Sequence, residues 1–195
     1  MNKVIDMIKW KENKSSNKVL HIKSFKDLDV SWDSMIDLIN QSLHTGSDTY
    51  VDANKNYPQD KYVYQNDVAS IIRTIGYVQF ISQMPISVNE INQSIKEIDT
   101  AFGSMVERTS VQFFCNLFAT EYVSEVHDDP WDSVVLQVKG SSTWDMYTED
   151  KKDIIDSILL EEGDLLLVPK GAVHRVTSSS SRATLNFPIH TKERE

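Results

Sequence analysis

Two histidines and one aspartate stand at positions where they can meet around a metal ion. His127 and Asp129 are separated by one residue, so their side chains project from the same side of an extended segment. His174 follows a Pro-Lys-Gly turn sequence at 169–171, which predicts that it begins another strand. Two imidazoles and one carboxylate on neighbouring strands form the arrangement that holds ferrous iron and leaves positions open for substrate and oxygen. These three residues are therefore the candidate metal ligands and the candidate catalytic residues.

The length and composition predict a folded protein with a single domain. The chain has 195 residues, enough to bury a core without the help of disulfides. Its one cysteine, Cys115, lies in an apolar run and cannot form an internal disulfide, so we expect a reducing, cytoplasmic setting. The N-terminus lacks the features of a secretory signal, and no apolar run approaches the roughly 20 residues that cross a bilayer. We therefore expect no membrane partner.

The charge balance argues against one class of partner. The formal net charge is -9, whereas general nucleic-acid binders carry a basic stripe or patch. We therefore expect no nucleic-acid partner. A basic peptide or an amine remains open as a partner, although an acidic balance mostly reflects solvated faces.

The N-terminal part, residues 1–109, is predicted to be a helical and loop region that packs on a β core. A short strand is expected at 19–22. A helix capped by Ser31 carries its apolar residues at helical spacing, and Gly46 stands just beyond its end. Residues 45–67 are rich in Asp, Asn and Tyr and include Gly46, and they predict a long ordered loop of the kind that often binds ligands.

The rest of the chain is predicted to be mainly β. A strand at 76–81 leads into a second helix, which starts at a capping box formed by Ser87 and Glu90 and ends at Gly103. After it, short apolar segments alternate with Gly, Ser, Pro and charged clusters, a pattern typical of a sandwich or barrel. The predicted strands of this core, residues 110–190, are 110–119, 131–138, 142–148, 157–160, 164–168, 173–177 and 183–189. The sequence indicates no boundary that would divide residues 1–195 into two domains.

The two segments that carry the candidate ligands resemble motifs of a known family. The segment Gly-Asp-Leu-Leu-Leu-Val-Pro-Lys-Gly-Ala-Val-His at 163–174 is similar to the second conserved motif of the cupins and of their jumonji-type (JmjC) branch. His127-x-Asp129, followed by Val-Val-Leu-Gln-Val-x-Gly at 134–140, resembles the first metal-binding motif of that branch. The likeness is greatest to the ribosomal-oxygenase and asparaginyl-hydroxylase group. It implies a double-stranded β-helix, a cupin-like jelly roll, with flanking N-terminal helices.

The resemblance also implies an activity. Members of this group are Fe(II)- and 2-oxoglutarate-dependent dioxygenases, so the chain is expected to hydroxylate a peptide or protein side chain, or a small molecule, with O2 as the other reactant. His127, Asp129 and His174 correspond to the iron ligands. Neutral imidazoles and an ionised carboxylate suit ferrous iron.

One position departs from the family pattern. The family has a Lys or Arg fifteen residues after the first metal-binding His, where this chain has Ser142, and a hydroxyl cannot supply the charge-assisted hydrogen bonds that a carboxylate needs. Arg182 is the best replacement, because other 2-oxoglutarate oxygenases use an Arg in the strand that follows the distal His. It shares one face of its predicted strand with Thr184 and Asn186. If that strand lay at a sheet edge, the same face could point to solvent.

Other residues complete the candidate co-substrate site. Asn116 can hydrogen-bond the co-substrate or serve a structural role, and Trp144 can wall the pocket or belong to the core. The candidate co-substrate-binding residues are thus Arg182, Asn116, Ser142, Asn186 and Trp144.

The alternative function is that of a metal-binding cupin without 2-oxoglutarate chemistry, acting as an oxygen-only dioxygenase or isomerase, or as a non-catalytic sensor or interaction module. The sequence leaves the oligomeric state open.

Overall fold

Antiparallel strands dominate the part of the chain that the computed structural model describes, residues 7–10, 18–37, 49–52, 77–82, 89–102, 106–109, 111–116 and 122–191. The strands are β1 (Leu20–Ile22), β2 (Thr49–Asp52), β3 (Tyr77–Ser82), β4 (Val106–Thr109), β5 (Val111–Asn116), β6 (Tyr122–Val123), β7 (Asp132–Lys139), β8 (Ser142–Tyr147), β9 (Ile154–Leu160), β10 (Leu165–Val168), β11 (His174–Ser178) and β12 (Arg182–Thr191). Helical residues form α1 (7–10), α2 (32–37) and α3 (Asn89–Phe102). None of these helices is long and apolar enough to cross a membrane.

The strands form two sheets that pack face to face. The large sheet has the order β1-β10-β7-β12-β5-β3-β2, with β4 also paired to β12, and the small sheet has the order β6-β11-β8-β9. Neighbours in sequence often lie in different sheets, as β7 and β8 or β10 and β11 do, which is the connectivity of a jelly roll. The predicted fold class, a mainly β, cupin-like jelly roll with flanking helices, is confirmed.

The predicted elements agree with the structure except at a few places. Within the strand predicted at 110–119, β5 occupies 111–116, and residues 110 and 117–119 lie outside the described residues; β4 at 106–109 was not predicted. β9 begins at Ile154, before the predicted 157, and its first residues are exposed at a sheet edge and so lack apolar alternation. β1, β2 and β3 join the large sheet, so the N-terminal part contributes strands as well as helical cover. The predicted signals at Gly46, Ser87 and Gly103 lie outside the described residues.

The outward face of the large sheet packs against the N-terminal segments. Alternate residues of each central strand point to this side, since side chains of a strand alternate between its faces. Met35 of α2 and Ile98 of α3 are buried against this face. The strand residues of this core include Val134, Leu136, Val138, Leu165, Leu167, Ala183, Leu185 and Phe187.

The inward face of the large sheet meets the small sheet across a second, smaller core. Val135 and Leu166 of the large sheet pack there with side chains of the small sheet. The contributing residues of the small sheet are Trp144, Met146, Ile158, Leu160 and Val176. This core fills only part of the space between the sheets, and polar side chains line the remainder.

Strand register places the candidate residues along that space. His174 is the first residue of β11 and lies opposite Met146 of β8. Ser142 lies four residues earlier on β8, which is roughly 13 Å along the strand at about 3.3 Å per residue. β12 runs between β7 and β5, with Thr184 opposite Gln137. Because β12 is a central strand, the alternative in which Arg182 points outward from a sheet edge is wrong.

Candidate active site

The three candidate metal ligands converge at one end of the space between the sheets, which we call the mouth. The backbones of His127 and His174 exchange two hydrogen bonds of 3.0 and 2.7 Å, so a residue outside the named strands is held beside the first residue of β11. Their ring centroids are 4.4 Å apart. Asp129 Oδ2 lies 4.0 Å from His174 Nε2. One ligand atom from each of the three residues lies within 4.8 Å of the other two.

Both imidazoles present the same nitrogen to this point. His127 Nδ1 lies 2.9 Å from the carbonyl oxygen of Glu125, and His174 Nδ1 lies 2.9 Å from that of Ala172. A carbonyl oxygen only accepts hydrogen bonds, so each Nδ1 carries the proton and each Nε2 keeps a lone pair. Metal-bound histidines are commonly oriented by such a bond from the distal nitrogen. Two Nε2 atoms and a carboxylate therefore make a donor set that fits a divalent transition metal.

The environment of His174 favours its neutral form. Burial lowers the pKa of His174 below its ordinary value, and the nearby His127 acts in the same direction. The hydrogen bond to Ala172 and the charge of Asp129 oppose this shift only in part. The indole of Trp144 stacks on the imidazole, with ring centroids 5.1 Å apart and an interplanar angle of 24°. A neutral, immobilised imidazole is the form that binds a metal ion.

A second group of polar side chains lies deeper between the sheets, and we call it the floor. It consists of the buried residues Gln137, Ser142, Thr184 and Arg182. Ser142 Oγ donates to Gln137 Oε1 at 2.8 Å, and Thr184 Oγ1 donates to the same oxygen at 3.0 Å. Trp144 Nε1 donates to Ser142 Oγ at 3.2 Å. Because the ring of Trp144 also stacks on His174, this one side chain connects the mouth to the floor.

Arg182 brings a positive charge into the interior. Its side chain is only 2% exposed and is the largest of the fully buried side chains among the described residues. Arg182 NH1 donates to Thr184 Oγ1 at 3.5 Å. Thr184 lies two residues nearer the mouth on β12, so the guanidinium extends along the inward face of that strand toward the mouth. The sequence-based expectation that Arg182, Thr184 and Asn186 share one face is confirmed, and that face is interior.

The wall between mouth and floor carries buried polar atoms without protein partners. Asn186 Oδ1 and Ser133 Oγ have no hydrogen-bond partner among the described residues. The other end of the Asn186 amide is paired, because Nδ2 donates to Gln112 Oε1 at 2.9 Å. Both residues are more than nine-tenths buried. Such groups are costly unless a ligand or water satisfies them. The backbone of Asn116 pairs with that of Arg182, but the side chain of Asn116 lies outside the described part of the structure.

Three of these residues were not among the candidates from the sequence. Ser133, Gln137 and Thr184 all point inward; Gln137 lies within the motif at 134–140, but nothing in that motif assigned it a role, and the other two lie outside both motifs. A signal was present in β7, where the polar residues Ser133 and Gln137 lie four residues apart, on the same face of the strand, beside the apolar residues 134–136 and 138. Polar residues at buried positions of a central strand indicate a lined interior, but the strand assignment and its facing direction are needed to interpret them.

Known proteins share this fold. A crystal structure of the Escherichia coli ribosomal oxygenase YcfD has a TM-score of 0.66 at 14% identity, covering 95% of this chain and 51% of YcfD. YcfD in complex with cobalt and 2-oxoglutarate has a TM-score of 0.66 at 13% identity, covering 90% and 49%. YcfD with cobalt and succinic acid has a TM-score of 0.62 at 15% identity, covering 95% and 51%. This chain thus spans about half the length of YcfD, and at such identities the likeness concerns the fold.

Sequence comparison is informative at the level of the family. No curated protein matches the chain by sequence. The profile of the JmjC domain matches residues 90–195, more than half of the chain. The matched range contains all three residues of the mouth and all four residues of the floor. The chain therefore belongs to the JmjC domain family.

Proposed function

We propose that this protein is an Fe(II)- and 2-oxoglutarate-dependent oxygenase that hydroxylates a peptide or protein side chain, or a small molecule. One observation carries the proposal: a metal-ligand group and a buried arginine lie at opposite ends of one polar-lined interior. An oxygenase of this class needs both, because its co-substrate must reach a metal ion with one end and a cation with the other. Membership of the JmjC domain family supports the same proposal.

His127, Asp129 and His174 would hold the metal ion. The two imidazoles are oriented by backbone carbonyls so that their Nε2 lone pairs face the carboxylate of Asp129. Trp144 covers one side of His174 and limits both ring rotation and the access of water. Bound ferrous iron supplies the oxygen activation and the redox chemistry, which none of the protein's own side chains can provide.

Arg182 would hold the distal carboxylate of 2-oxoglutarate. Charge-assisted hydrogen bonds from a guanidinium match a carboxylate in geometry and charge. Asn186 and Ser133 would supply hydrogen bonds along the wall, since each has a buried polar atom without a partner in the described part of the protein. Asn116 belongs to the proposed pocket because its backbone is paired with that of Arg182.

Ser142 fits a pocket in which the cation comes from the opposite sheet. A Lys at position 142 would start from β8, whereas Arg182 starts from β12, and the two positions are connected through Gln137 and Thr184. Two long cations cannot share so small a buried space without a large desolvation and repulsion cost. The small Ser142 therefore leaves room for the arginine, and it hydrogen-bonds the floor and Trp144 instead of the co-substrate.

A cytoplasmic location remains part of the proposal. Burial raises the pKa of Cys115 to about 12, although the charge of Arg182 acts in the opposite direction. Cys115 is the single cysteine of the chain and a buried free thiol, so no internal disulfide forms, as suits a reducing compartment.

The experiment is an anaerobic titration of the Fe(II)-loaded protein with 2-oxoglutarate, followed by admission of air. We expect a weak visible absorption band that saturates with 2-oxoglutarate, and then slow release of succinate in the absence of substrate. Iron binding without the band would instead favour the alternative, a cupin without 2-oxoglutarate chemistry. Failure to bind any divalent metal would leave a sensor or interaction module.

A further inference from the structure

Gln137 is the point at which the hydrogen bonds of the floor meet. Its side chain is fully buried, and its Oε1 accepts the hydroxyl protons of both Ser142 and Thr184. Its Nε2 donates to the carbonyl oxygen of Lys139 at 2.8 Å. A carbonyl oxygen cannot donate, so this bond fixes which end of the amide faces the hydroxyls. The amide is therefore held in one orientation, with its oxygen toward the floor.

The direction of these bonds determines what the hydroxyls offer to their other neighbours. Since both protons point at Gln137, Ser142 presents its lone pairs to Trp144 Nε1–H and Thr184 presents its lone pairs to Arg182 NH1–H. By accepting the proton of each hydroxyl, Gln137 thus determines that the hydroxyl oxygen accepts the hydrogen bond from its other neighbour. The contact from Arg182 NH1 to Thr184 Oγ1 is long at 3.5 Å, which is the outer limit of a hydrogen bond.

The backbone of Gln137 is held as firmly as its side chain. Its N–H donates to the carbonyl oxygen of Asp164 at 3.0 Å, and its own carbonyl accepts from Gly163 N–H at 2.8 Å. It also lies on β7, paired with β10 on one side and β12 on the other. The amide is thus a fixed reference in the interior, against which the side chains from β8 and β12 are aligned.

We propose that Gln137 is a positioning residue for the distal carboxylate of the co-substrate, acting through Thr184 on Arg182 and through Ser142 on Trp144. This inference rests on the proposed function. The amide can do this because it accepts two hydroxyl protons without carrying a charge. A glutamate would accept the same two protons, but its negative charge would neutralise the guanidinium and compete with the co-substrate for it. The proposal therefore requires a neutral hydrogen-bond acceptor at position 137. Two substitutions test this requirement: one keeps the acceptor and adds a charge, and the other removes the acceptor without adding a charge.

The test measures binding of two probes to the Mn(II)-loaded protein by calorimetry. In the proposed pocket 2-oxoglutarate extends from the mouth to the floor. Oxalate can chelate the metal but lacks a distal carboxylate that could contact the floor. We expect Gln137→Glu to weaken 2-oxoglutarate binding by at least about 100-fold, because the new buried carboxylate would pair with the Arg182 guanidinium in place of the co-substrate carboxylate. Gln137→Met, which removes the acceptor without adding charge, should weaken it by about 10-fold. Oxalate affinity should change less than about 2-fold in both variants.

A matched control separates positioning from a loss of folding. Ser178 is also buried at this end of the barrel, but its hydrogen-bond partners among the described residues are backbone carbonyls, those of Ser141 and Ser180. We expect Ser178→Ala to lower the melting temperature while leaving the affinities for both probes unchanged. Equal losses of 2-oxoglutarate and oxalate in the Gln137 variants would mean a merely structural role, and unchanged 2-oxoglutarate affinity would mean no role; either result overturns the proposal.

The proposed function fails in a different way. If the wild-type protein takes up Mn(II) and binds oxalate but does not bind 2-oxoglutarate, the co-substrate assignment itself is wrong, and the role of Gln137 falls with it. If the wild type binds 2-oxoglutarate and only the Gln137 variants behave contrary to expectation, the oxygenase assignment stands and this inference alone is rejected.

Discussion

The mouth and the floor of the barrel are both polar, but they are built in different ways. The mouth takes two of its three ligands from one short segment, and a reciprocal backbone pairing brings the third beside them. The floor takes its four side chains from three strands in two sheets, β7, β8 and β12. Hence the mouth depends on local spacing and one strand contact, whereas the floor depends on the register of the whole barrel.

This difference predicts that substitutions at one end should leave the other end intact. The ligand set of the mouth tolerates little variation, because metal binding requires particular donor atoms. In the proposed pocket the floor would supply a positive charge to the co-substrate, and that charge could come from either sheet. In this chain Ser142 on β8 is short, while Arg182 on β12 is long and buried. In that pocket the cation would come from β12 instead of β8, with the same ligand group at the mouth.

The largest expected effect is at the mouth. His174→Ala removes a ligand from a buried position, and we expect metal affinity to fall by more than about 100-fold, since loss of an outer hydrogen-bond partner alone costs up to that much. Metal stoichiometry after Fe(II) or Mn(II) loading is the measurement. The control is His21→Ala, because His21 Nε2 bonds Asp164 and lies outside the ligand group. Undiminished metal content in His174→Ala would remove this residue from the proposed ligands.

The next effect breaks the floor while leaving the mouth intact. Arg182→Ala should raise the Michaelis constant for 2-oxoglutarate by about 10- to 100-fold, as expected for the loss of charge-assisted hydrogen bonds, with metal binding unchanged. Arg175→Ala is the matched control, because Arg175 pairs with Asp145 outside the two groups of the barrel interior, at 2.8 Å. An unaltered 2-oxoglutarate requirement in Arg182→Ala would mean that another residue anchors the co-substrate.

A double substitution sharpens the same comparison. If the cation can come from either sheet, Ser142→Lys combined with Arg182→Ala should recover part of the lost 2-oxoglutarate affinity. Ser142→Lys alone should destabilise the protein strongly, because it adds a second buried cation to the floor. Calorimetric affinity and melting temperature, measured on the same three variants, decide the matter. A double variant no better than Arg182→Ala would show that the floor accepts a cation only from β12.

Trp144 tests whether the two ends are coupled. Trp144→Phe keeps a ring that can stack on His174 but removes the N–H that bonds Ser142, so we expect about a 3- to 10-fold loss in 2-oxoglutarate affinity and little change in metal affinity. Trp144→Leu removes both interactions and should weaken both affinities. Equal behaviour of the two variants in both assays would contradict a link through the indole N–H.

The contrast also explains how far the sequence was informative. The His-x-Asp spacing and the Pro-Lys-Gly turn before His174 are local, and they led to three side chains that the structure brings together. The strand pattern was sufficient for a mainly β sandwich or barrel, because apolar alternation is local too, whereas the jelly roll itself was predicted from the resemblance of the two ligand segments to family motifs. Gln137 could not be interpreted in the same way, since a buried glutamine in an apolar strand is significant only once its facing strands are known. The central position of β12, which decides that Arg182 is interior, is likewise a property of topology.

The smallest expected effect concerns Asp164, whose backbone carbonyl accepts a hydrogen bond from the N–H of the floor residue Gln137. Asp164 is buried, and burial opposes its ionisation, but hydrogen bonds from Ser24 N–H, His21 and Glu161 N–H outweigh this and hold the pKa of its carboxyl below the ordinary value. The folded protein thus binds this proton less readily than the unfolded chain does. The stabilisation is therefore present above the unfolded pKa of about 3.9 and is lost as the pH falls through the folded pKa.

Asp164→Asn should therefore lower the free energy of unfolding by about 1–2 kcal/mol at pH 7, and its difference from the wild type should shrink below about pH 4. Urea unfolding at several pH values measures this difference. Because the backbone carbonyl of Asp164 still accepts from Gln137 N–H, 2-oxoglutarate affinity should change less than in Arg182→Ala. A difference that stays constant down to pH 3 would mean that the ionised carboxylate is not the source of the stabilisation, and that the shape of the turn is.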